Sequence, residues 1–276
     1  MLSSLLSSML FLLFLVFLIE EIYDNYIWKE LEKGDAVPPE VYLNAIGLLL
    51  RLDVRDALKG SFEDRLKLLA ARLTDQENWY MSWHLDILIV WALAKVGEYS
   101  KAHELLEGLK LRLSTSPQVL HAGTTQGNVP PGQTSNYVNN RGDQHQGKGF
   151  AKLSKMNKKK QEVMKRGIQL GEAVYEYAKG DYKQVLELLG SDFNAFGYKI
   201  IGASDEQIDV FNEIWCQLLL KIGQSSTAKG VIKERIKVRD GVPFTWRLLE
   251  KSCDMEGNAE AESAGERAKK LESSYF

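Results

Sequence analysis

The sequence has little of what a disulfide framework, a metal centre or a catalytic site requires. Its two cysteines, Cys216 and Cys253, are isolated and lack metal-ligand spacing, a usage typical of reducing compartments. Only four histidines are present, and no HExxH, CxxC or Ser–His–Asp pattern stands out. An Asn-x-Ser/Thr glycosylation site is also absent. We therefore expect a cytoplasmic, non-enzymatic protein with no catalytic residue, metal or cofactor.

Net charge and proline are also scarce. The formal net charge is −2, which gives no general attraction to nucleic acid or to an anionic membrane surface. Only six residues are proline, and alternating apolar runs typical of strands are few. The hydrophobic content of 45% is ordinary for a globular chain with a sizeable core. These features favour an all-α fold and argue against a nucleic-acid partner.

Residues 1–19 carry no charged side chain, and residues 9–19 form an unbroken apolar run. As a membrane anchor, a helix of this length spans only about 27–29 Å, just the hydrocarbon thickness. As a signal peptide, the run lacks a preceding Lys or Arg, and Glu20 and Glu21 follow it directly. A third interpretation is an atypical start to a helical body. A membrane is a partner only if this segment is an anchor, and otherwise we expect a cytoplasmic location.

Helical periodicity fills residues 20–113 and 151–276, which we interpret as two parts of one helical repeat region. Helix-start signals recur along both parts. They are either a proline in the first turn or a polar residue at the cap position, in two cases with an acid or amide three residues later. The predicted starts are Pro38–Pro39, Ser61 with Asp64, Ser204 with Gln207, Pro243 and Asn258.

The two helical parts are separated by residues 114–150, a segment of different composition. It contains six glycines and three prolines, is rich in Asn, Gln, Ser and Thr, and has few large apolar residues. Such a segment cannot bury enough apolar surface to offset its ordering entropy, so we predict a disordered insertion. A basic run from Lys152 to Arg166 follows. We interpret it as a solvated helix start, with an anionic-surface or nuclear-import patch as the alternative.

One helical hairpin, residues 93–109, provides a pattern that returns along the chain. Its turn is at Gly97, because the turn needs a residue that adopts positive φ. The pattern returns 83 residues later at Gly180, and more weakly at Gly223 and Gly257. The repeat-defining residues are Gly97, Tyr99, Ala102, Leu105 and Leu106 in the first copy, and Gly180, Tyr182, Val185, Leu188 and Leu189 in the second. This repetition predicts stacked antiparallel hairpins in a tetratricopeptide-repeat-like α-α superhelix. A non-repetitive helical bundle is the alternative.

Four segments carry a more specific signal. They are PPEVYLNAIGLLLRLDV at residues 38–54, residues 79–106, IGASDEQIDVFNEIW at residues 201–215 and FTWRLLEKS at residues 244–252. They resemble the tetratricopeptide repeat protein 38 family, over about residues 22–276 apart from the 114–150 insertion. The resemblance implies an all-helical fold and a family without a well-established activity. Family members carry a further N-terminal helical half, which favours the atypical-start interpretation of residues 1–19.

Two functions are compatible with these patterns. The first is a non-enzymatic scaffold whose stacked hairpins bind a protein or peptide on an inner surface. Adjacent aromatic residues at a helix start suit such a surface, and the candidate groove is Trp79, Tyr80, Trp83 and His84. The second is an α-helical enzyme or small-molecule binder with a pocket near Trp79, Trp83 and His84. His84 and Asp86 are two residues apart, so on a helix we do not expect them to face each other.

Overall fold

The computed structural model describes residues 18–33, 37–114 and 146–274, and all regular structure in these ranges is helical. The predicted all-α class is therefore confirmed. Most of the apolar N-terminal segment and most of the predicted insertion lie outside the described residues. Among the helices within these ranges, none combines the length and the apolar character that crossing a membrane requires.

The helices are joined mostly by short turns. Helix α1 covers residues 18–32 and contains a π-helical stretch at Tyr23–Trp28. The helices that follow are α2 Pro39–Val54, α3 Ser61–Leu73, α4 Trp83–Lys95, α5 Tyr99–Ser114, α6 Gln146–Lys179, α7 Tyr182–Leu189, α8 Asp205–Lys221, α9 Ser225–Val238, α10 Pro243–Met255 and α11 Glu260–Ser274. A 3₁₀ helix at Ala195–Ile201 precedes α8. Because α6 begins at Gln146, residues 146–150 of the predicted insertion are helical.

Most of the predicted helix starts agree with the structure. Helix α2 begins at Pro39 and α10 begins at Pro243, each with a proline in the first turn. Ser204 caps α8, and its side chain and that of Gln207 form a reciprocal capping box. Local side-chain chemistry therefore sets these helix boundaries.

The predicted N-cap at Ser61 is wrong. Gly60 occupies the N-cap position with φ +57°, and no side chain caps the helix. Glycine reaches this conformation at little cost, so the helix starts one residue earlier than the Ser61 pattern predicts. The Ser61 hydroxyl instead donates a hydrogen bond to the Glu20 carboxylate of α1.

Five turns between helices have the same backbone geometry. Four contain a glycine with φ between +64° and +92°, at Gly97, Gly180, Gly223 and Gly257. After each glycine, the next N–H donates to the carbonyl five residues earlier at 2.8–3.0 Å, as in the Schellman motif. The fifth turn joins α2 to α3 and has Asp56 at φ +56°. A glycine-based pattern did not predict it, although aspartate tolerates this conformation better than most residues.

Helices α4 and α8 are buried almost all round and form the centres of the core. Every residue from His84 to Ala94 in α4 is buried, as is every residue from Val210 to Leu220 in α8. Helices α2, α3, α5 and α6 pack around α4, whereas α2, α9, α10 and the 3₁₀ helix pack around α8. Helix α2 therefore packs against both central helices, α4 and α8.

Polar contacts join α2 to α8 across a long stretch of sequence. Arg55 donates two hydrogen bonds to the Glu213 carboxylate, with N···O distances of 2.8 and 3.2 Å. The Gln217 side-chain amide donates to the Val54 carbonyl at 3.1 Å. Helix α8 therefore packs on α2, which is far from it in sequence, in addition to packing on its neighbours in sequence.

The shared turn geometry predicts opposite effects of two glycine substitutions. Gly97→Ala forces a Cβ into a backbone with φ +92°, so the free energy of unfolding should fall by about 1–2 kcal/mol. Gly230 lies inside α9 with open space around it, so Gly230→Ala should raise that free energy by about 0.5–1 kcal/mol. Urea denaturation of both variants measures this, and a change of the same sign in both would contradict the assigned turn.

Candidate functional site

Trp79, the first residue of the candidate groove, belongs to the core. Its side chain is 5% exposed, and its indole N–H donates to the Leu73 carbonyl at 2.8 Å. It meets the Tyr80 ring edge-on, with ring centroids 6.2 Å apart. Trp79 therefore packs against the end of α3 and contacts Tyr80, but it does not line the cleft described below.

Tyr80 is held in an uncommon backbone conformation. Its φ is +66°, and its N–H donates to Asp86 Oδ1 at 2.7 Å. The ring lies against Gly108 of α5, where a Cβ would come within 1.8 Å of the tyrosine oxygen. The Arg112 guanidinium covers the ring at 3.6 Å from its centroid. Such a strained position persists only where its surroundings fix it, here through the carboxylate and the glycine.

Trp83 packs in a similar way on the next helix. A Cβ at Gly167 of α6 would lie 2.3 Å from Trp83 Cε3, so only glycine allows this approach. Gly108 and Gly167 therefore contact the candidate residues, and the sequence patterns missed both glycines. Their signal was a glycine inside a helix, which costs about 1 kcal/mol relative to alanine and often has a packing reason.

Tyr80 and Trp83 line an open cleft of about 380 Å³, which we name the Tyr80–Trp83 cleft. It lies between the start of α4 and the facing sides of α5 and α6. Its other lining residues are Met81, Ser82, Asp86, Leu109, Arg112 and Met164. Met81 is 47% exposed at its edge. Tyrosine, tryptophan, methionine and arginine together are the residue types enriched where proteins bind partners.

Asp86 is a buried carboxyl group at the bottom of this cleft. The residue is 2% exposed. Burial raises its pKa to about 7, and the hydrogen bond from the Tyr80 N–H and the charge of Arg112 oppose that rise. Asp86 is therefore poised to change protonation near neutral pH while it holds the Tyr80 backbone.

His84 points to a different part of the molecule. It is 3% exposed and meets the Phe211 ring of α8 with ring centroids 6.5 Å apart. It lines a separate cavity with Arg51 of α2. Burial, and secondly the charge of Arg51, lowers its pKa to about 4, so the imidazole is neutral at pH 7. The structure thus divides the candidate groove: Tyr80 and Trp83 share one cleft, whereas Trp79 and His84 lie elsewhere.

The repeat-defining residues mostly occupy the positions that a helical hairpin requires. Gly97 and Gly180 form the turns described above. Most of the apolar members are buried, namely Ala102, Leu105, Leu106, Val185 and Leu189. Tyr182 and Leu188 are half-buried. Tyr99 differs, since it is 47% exposed and makes only an edge-on ring contact with Tyr175 among the described rings.

A second cleft, of about 430 Å³, lies between residues 191–196 and α9. Its apolar lining includes Phe193, Phe196 and Val238, and Val238 is 76% exposed. At its side Asp209 accepts a hydrogen bond from Arg235 at 2.9 Å. Sequence patterns did not predict this cleft, because its residues come from a loop, the 3₁₀ helix and helices α8, α9 and α10.

In the described part of the chain, the side chains that could bind a metal are dispersed. No group of three or more His, Cys, Asp or Glu side chains there could hold a metal ion. Both cysteines are buried, and burial raises the pKa of Cys216 to about 12, which leaves an unreactive thiol.

Comparison with known proteins adds no assignment. No protein-family model matches the sequence, and no solved structure matches the chain. The resemblance to the tetratricopeptide repeat protein 38 family therefore rests on the four sequence segments alone.

The shifted pKa values of Asp86 and His84 predict opposite pH effects on stability. The Asp86 pKa is raised from 3.8 to about 7, so its favourable contribution is complete below pH 3.8 and is lost as pH rises through 7. The His84 pKa is lowered from 6.5 to about 4, so its contribution is complete above pH 6.5 and is lost as pH falls through 4. In the wild type the two effects largely cancel.

Single substitutions should separate these effects. Relative to wild type, the free energy of unfolding of Asp86→Asn should increase as pH rises from 4 to 8, by up to about 4 kcal/mol. For His84→Gln, the free energy of unfolding relative to wild type should increase as pH falls from 7 to 4, by up to about 3 kcal/mol. Asp64 offers a control because it is exposed, and a surface substitution such as Asp64→Asn changes the free energy of unfolding by about 0.5 kcal/mol or less. Urea denaturation at each pH measures these free energies. If all three variants show the same dependence on pH, the raised pKa of Asp86 and the lowered pKa of His84 are contradicted.

Proposed function

We propose that the chain is a non-enzymatic helical-repeat scaffold that binds a protein or peptide. The hairpin pattern supports this, since five turns share one geometry and most successive helices pack on each other around a continuous core. In this proposal the hairpins follow a tetratricopeptide-type superhelical arrangement, with α8 also packing on α2. Stacked hairpins of this kind expose extended surfaces suited to other chains.

The Tyr80–Trp83 cleft is the observation that carries the proposal. A volume of about 380 Å³ is at the small end of ligand pockets, enough for one or two side chains of a partner. Its aromatic walls are fixed by Gly108 and Gly167, so little conformational entropy is lost on binding. Met81 adds an adaptable apolar edge. A short segment with one or two apolar anchor residues is the ligand that this surface suits best.

The same proposal includes membership of the tetratricopeptide repeat protein 38 family and a cytoplasmic location. Residues 1–19 would change the location only if they act as a membrane anchor. No cofactor and no nucleic acid is part of the proposed function.

A peptide library displayed on phage tests the cleft as the binding site. Peptides selected on the wild-type chain should bind Met81→Glu at least tenfold more weakly, a loss of about 1.4 kcal/mol, because the new carboxylate lies at an apolar edge. Met255→Glu is the matched control, since Met255 is also 47% exposed but lies in α10. Fluorescence anisotropy with one labelled peptide gives the dissociation constants.

Two results would contradict this function. One is a library that yields no saturable binder to the folded wild-type chain. The other is a set of binders that Met81→Glu and Met255→Glu affect equally, since the contact would then lie outside the Tyr80–Trp83 cleft.

Small-molecule binding is a second candidate function, and one observation favours it. His84 is buried on a cavity, and its Nδ1 has no hydrogen-bond partner among the described residues. Trp79 and Trp83, which the sequence placed with His84, do not line that cavity.

A further inference from the structure

The cavity beside His84 has one cationic end and apolar walls. It measures about 120 Å³ and lies where α2, α4 and the start of α8 meet. Leu43, Leu48 and Leu88 supply most of the apolar wall, together with Val210. Arg51 supplies the charge.

Arg51 is a half-buried cation without a carboxylate partner in the described chain. Its two terminal nitrogens donate to backbone carbonyls, Nη1 to Gly47 at 3.1 Å and Nη2 to Glu206 at 2.6 Å. The three acids whose charges act on Arg51 are each paired with another arginine: Glu213 with Arg55, Asp209 with Arg235 and Glu206 with Arg239. Among the described residues, the positive charge next to the cavity is therefore balanced at contact distance only by carbonyl dipoles.

His84 adds a second polar group, which is more than nine-tenths buried. Its ring lines the cavity, and its Nδ1 is buried without a hydrogen-bond partner among the described residues. A buried polar nitrogen in this state normally has a partner such as water or a ligand. Because the imidazole is neutral at pH 7, one ring nitrogen carries a hydrogen and can donate it. The side chains of Asn44 and Gln207 also line the cavity and carry amide donors.

We infer that this cavity is a binding site for a short aliphatic carboxylate. The carboxylate group would lie between the Arg51 guanidinium and the His84 ring, and the hydrocarbon part would contact the leucine walls. An apolar cavity of about 150 Å³ holds benzene, so a site of about 120 Å³ admits about five or six non-hydrogen atoms, the size of propionate or butyrate. Charge-assisted hydrogen bonds from arginine to carboxylate are stronger than neutral ones.

The inference does not depend on peptide binding by the chain. No residue lines both this cavity and the Tyr80–Trp83 cleft. A peptide that binds the cleft and a carboxylate that binds beside His84 can therefore be tested separately.

Titration of the full chain with propionate at pH 7 tests the inference. The imidazole NMR signal of His84, assigned by its loss in His84→Gln, should shift and saturate with a millimolar dissociation constant. Propionamide has nearly the same shape without the charge, so it should bind at least tenfold more weakly. Formate fills less of the apolar wall and should also bind more weakly than propionate.

Variants locate the charge that binds the ligand. Arg51→Gln should weaken propionate binding at least tenfold. Arg72→Gln should leave it unchanged, because Arg72 is also half-buried and donates to a backbone carbonyl, that of Leu31, but lies away from the cavity. Circular dichroism checks that both variants fold.

The inference is overturned if the wild-type His84 signal does not respond to propionate, or if propionamide binds as well as propionate. It is equally overturned if a folded Arg51→Gln variant binds propionate as tightly as Arg72→Gln does. The comparison of propionate with propionamide uses the wild-type chain, so it decides the question even if Arg51→Gln does not fold.

Discussion

The packing of α2 between α4 and α8 is the constraint on which the rest of this structure depends. Glu213 is 5% exposed, and its charge is compensated by the hydrogen bonds from Arg55. Arg55 is 38% exposed, so loss of this partner should cost less than the about 3–5 kcal/mol that is typical of fully buried pairs. The α2–α8 contact thus brings together segments that are more than 150 residues apart in sequence. It also forms the cavity beside His84, which is lined by residues of both helices.

The two candidate sites depend on α4 in different ways. Its first turn presents Trp83 and Asp86 towards α5 and α6, where Gly108 and Gly167 allow the aromatic rings to approach the helix backbones. Its opposite side presents His84 to α2 and α8. Since α4 is buried all round, neither surface can shift without repacking the core. A rigid central helix with one cleft and one cavity at its start is the physical basis of the proposed binding function.

Local chemistry in the sequence predicted much of the fold. The proline starts at Pro39 and Pro243, the Ser204 capping box and the four glycine turns depend on residues near one another in the chain, and all are present. The pattern failed where two local signals compete, as when Gly60 replaced Ser61 at the start of α3. It also failed at the Asp56 turn, where an aspartate adopts the conformation expected of glycine.

The candidate site was less predictable, because burial and direction are tertiary properties. Four residues that are close in sequence were expected to line one groove, namely Trp79, Tyr80, Trp83 and His84. They separate because the Tyr80 backbone turns at φ +66° and α4 begins at Trp83. Neither the partnership of His84 with Arg51 nor the approach of Gly108 to Tyr80 has a signature in adjacent residues. Both follow from helix packing, which periodicity alone does not specify.

A double-mutant cycle between Arg55 and Glu213 tests the central claim that α8 packs on α2. Free energies of unfolding are needed for wild type, Arg55→Gln, Glu213→Gln and the double variant. The account predicts a coupling of at least about 1 kcal/mol, with the double variant less destabilised than the sum of the single ones. Additivity within about 0.3–0.5 kcal/mol would mean that the two side chains do not meet, and would contradict the packing that forms the cavity beside His84.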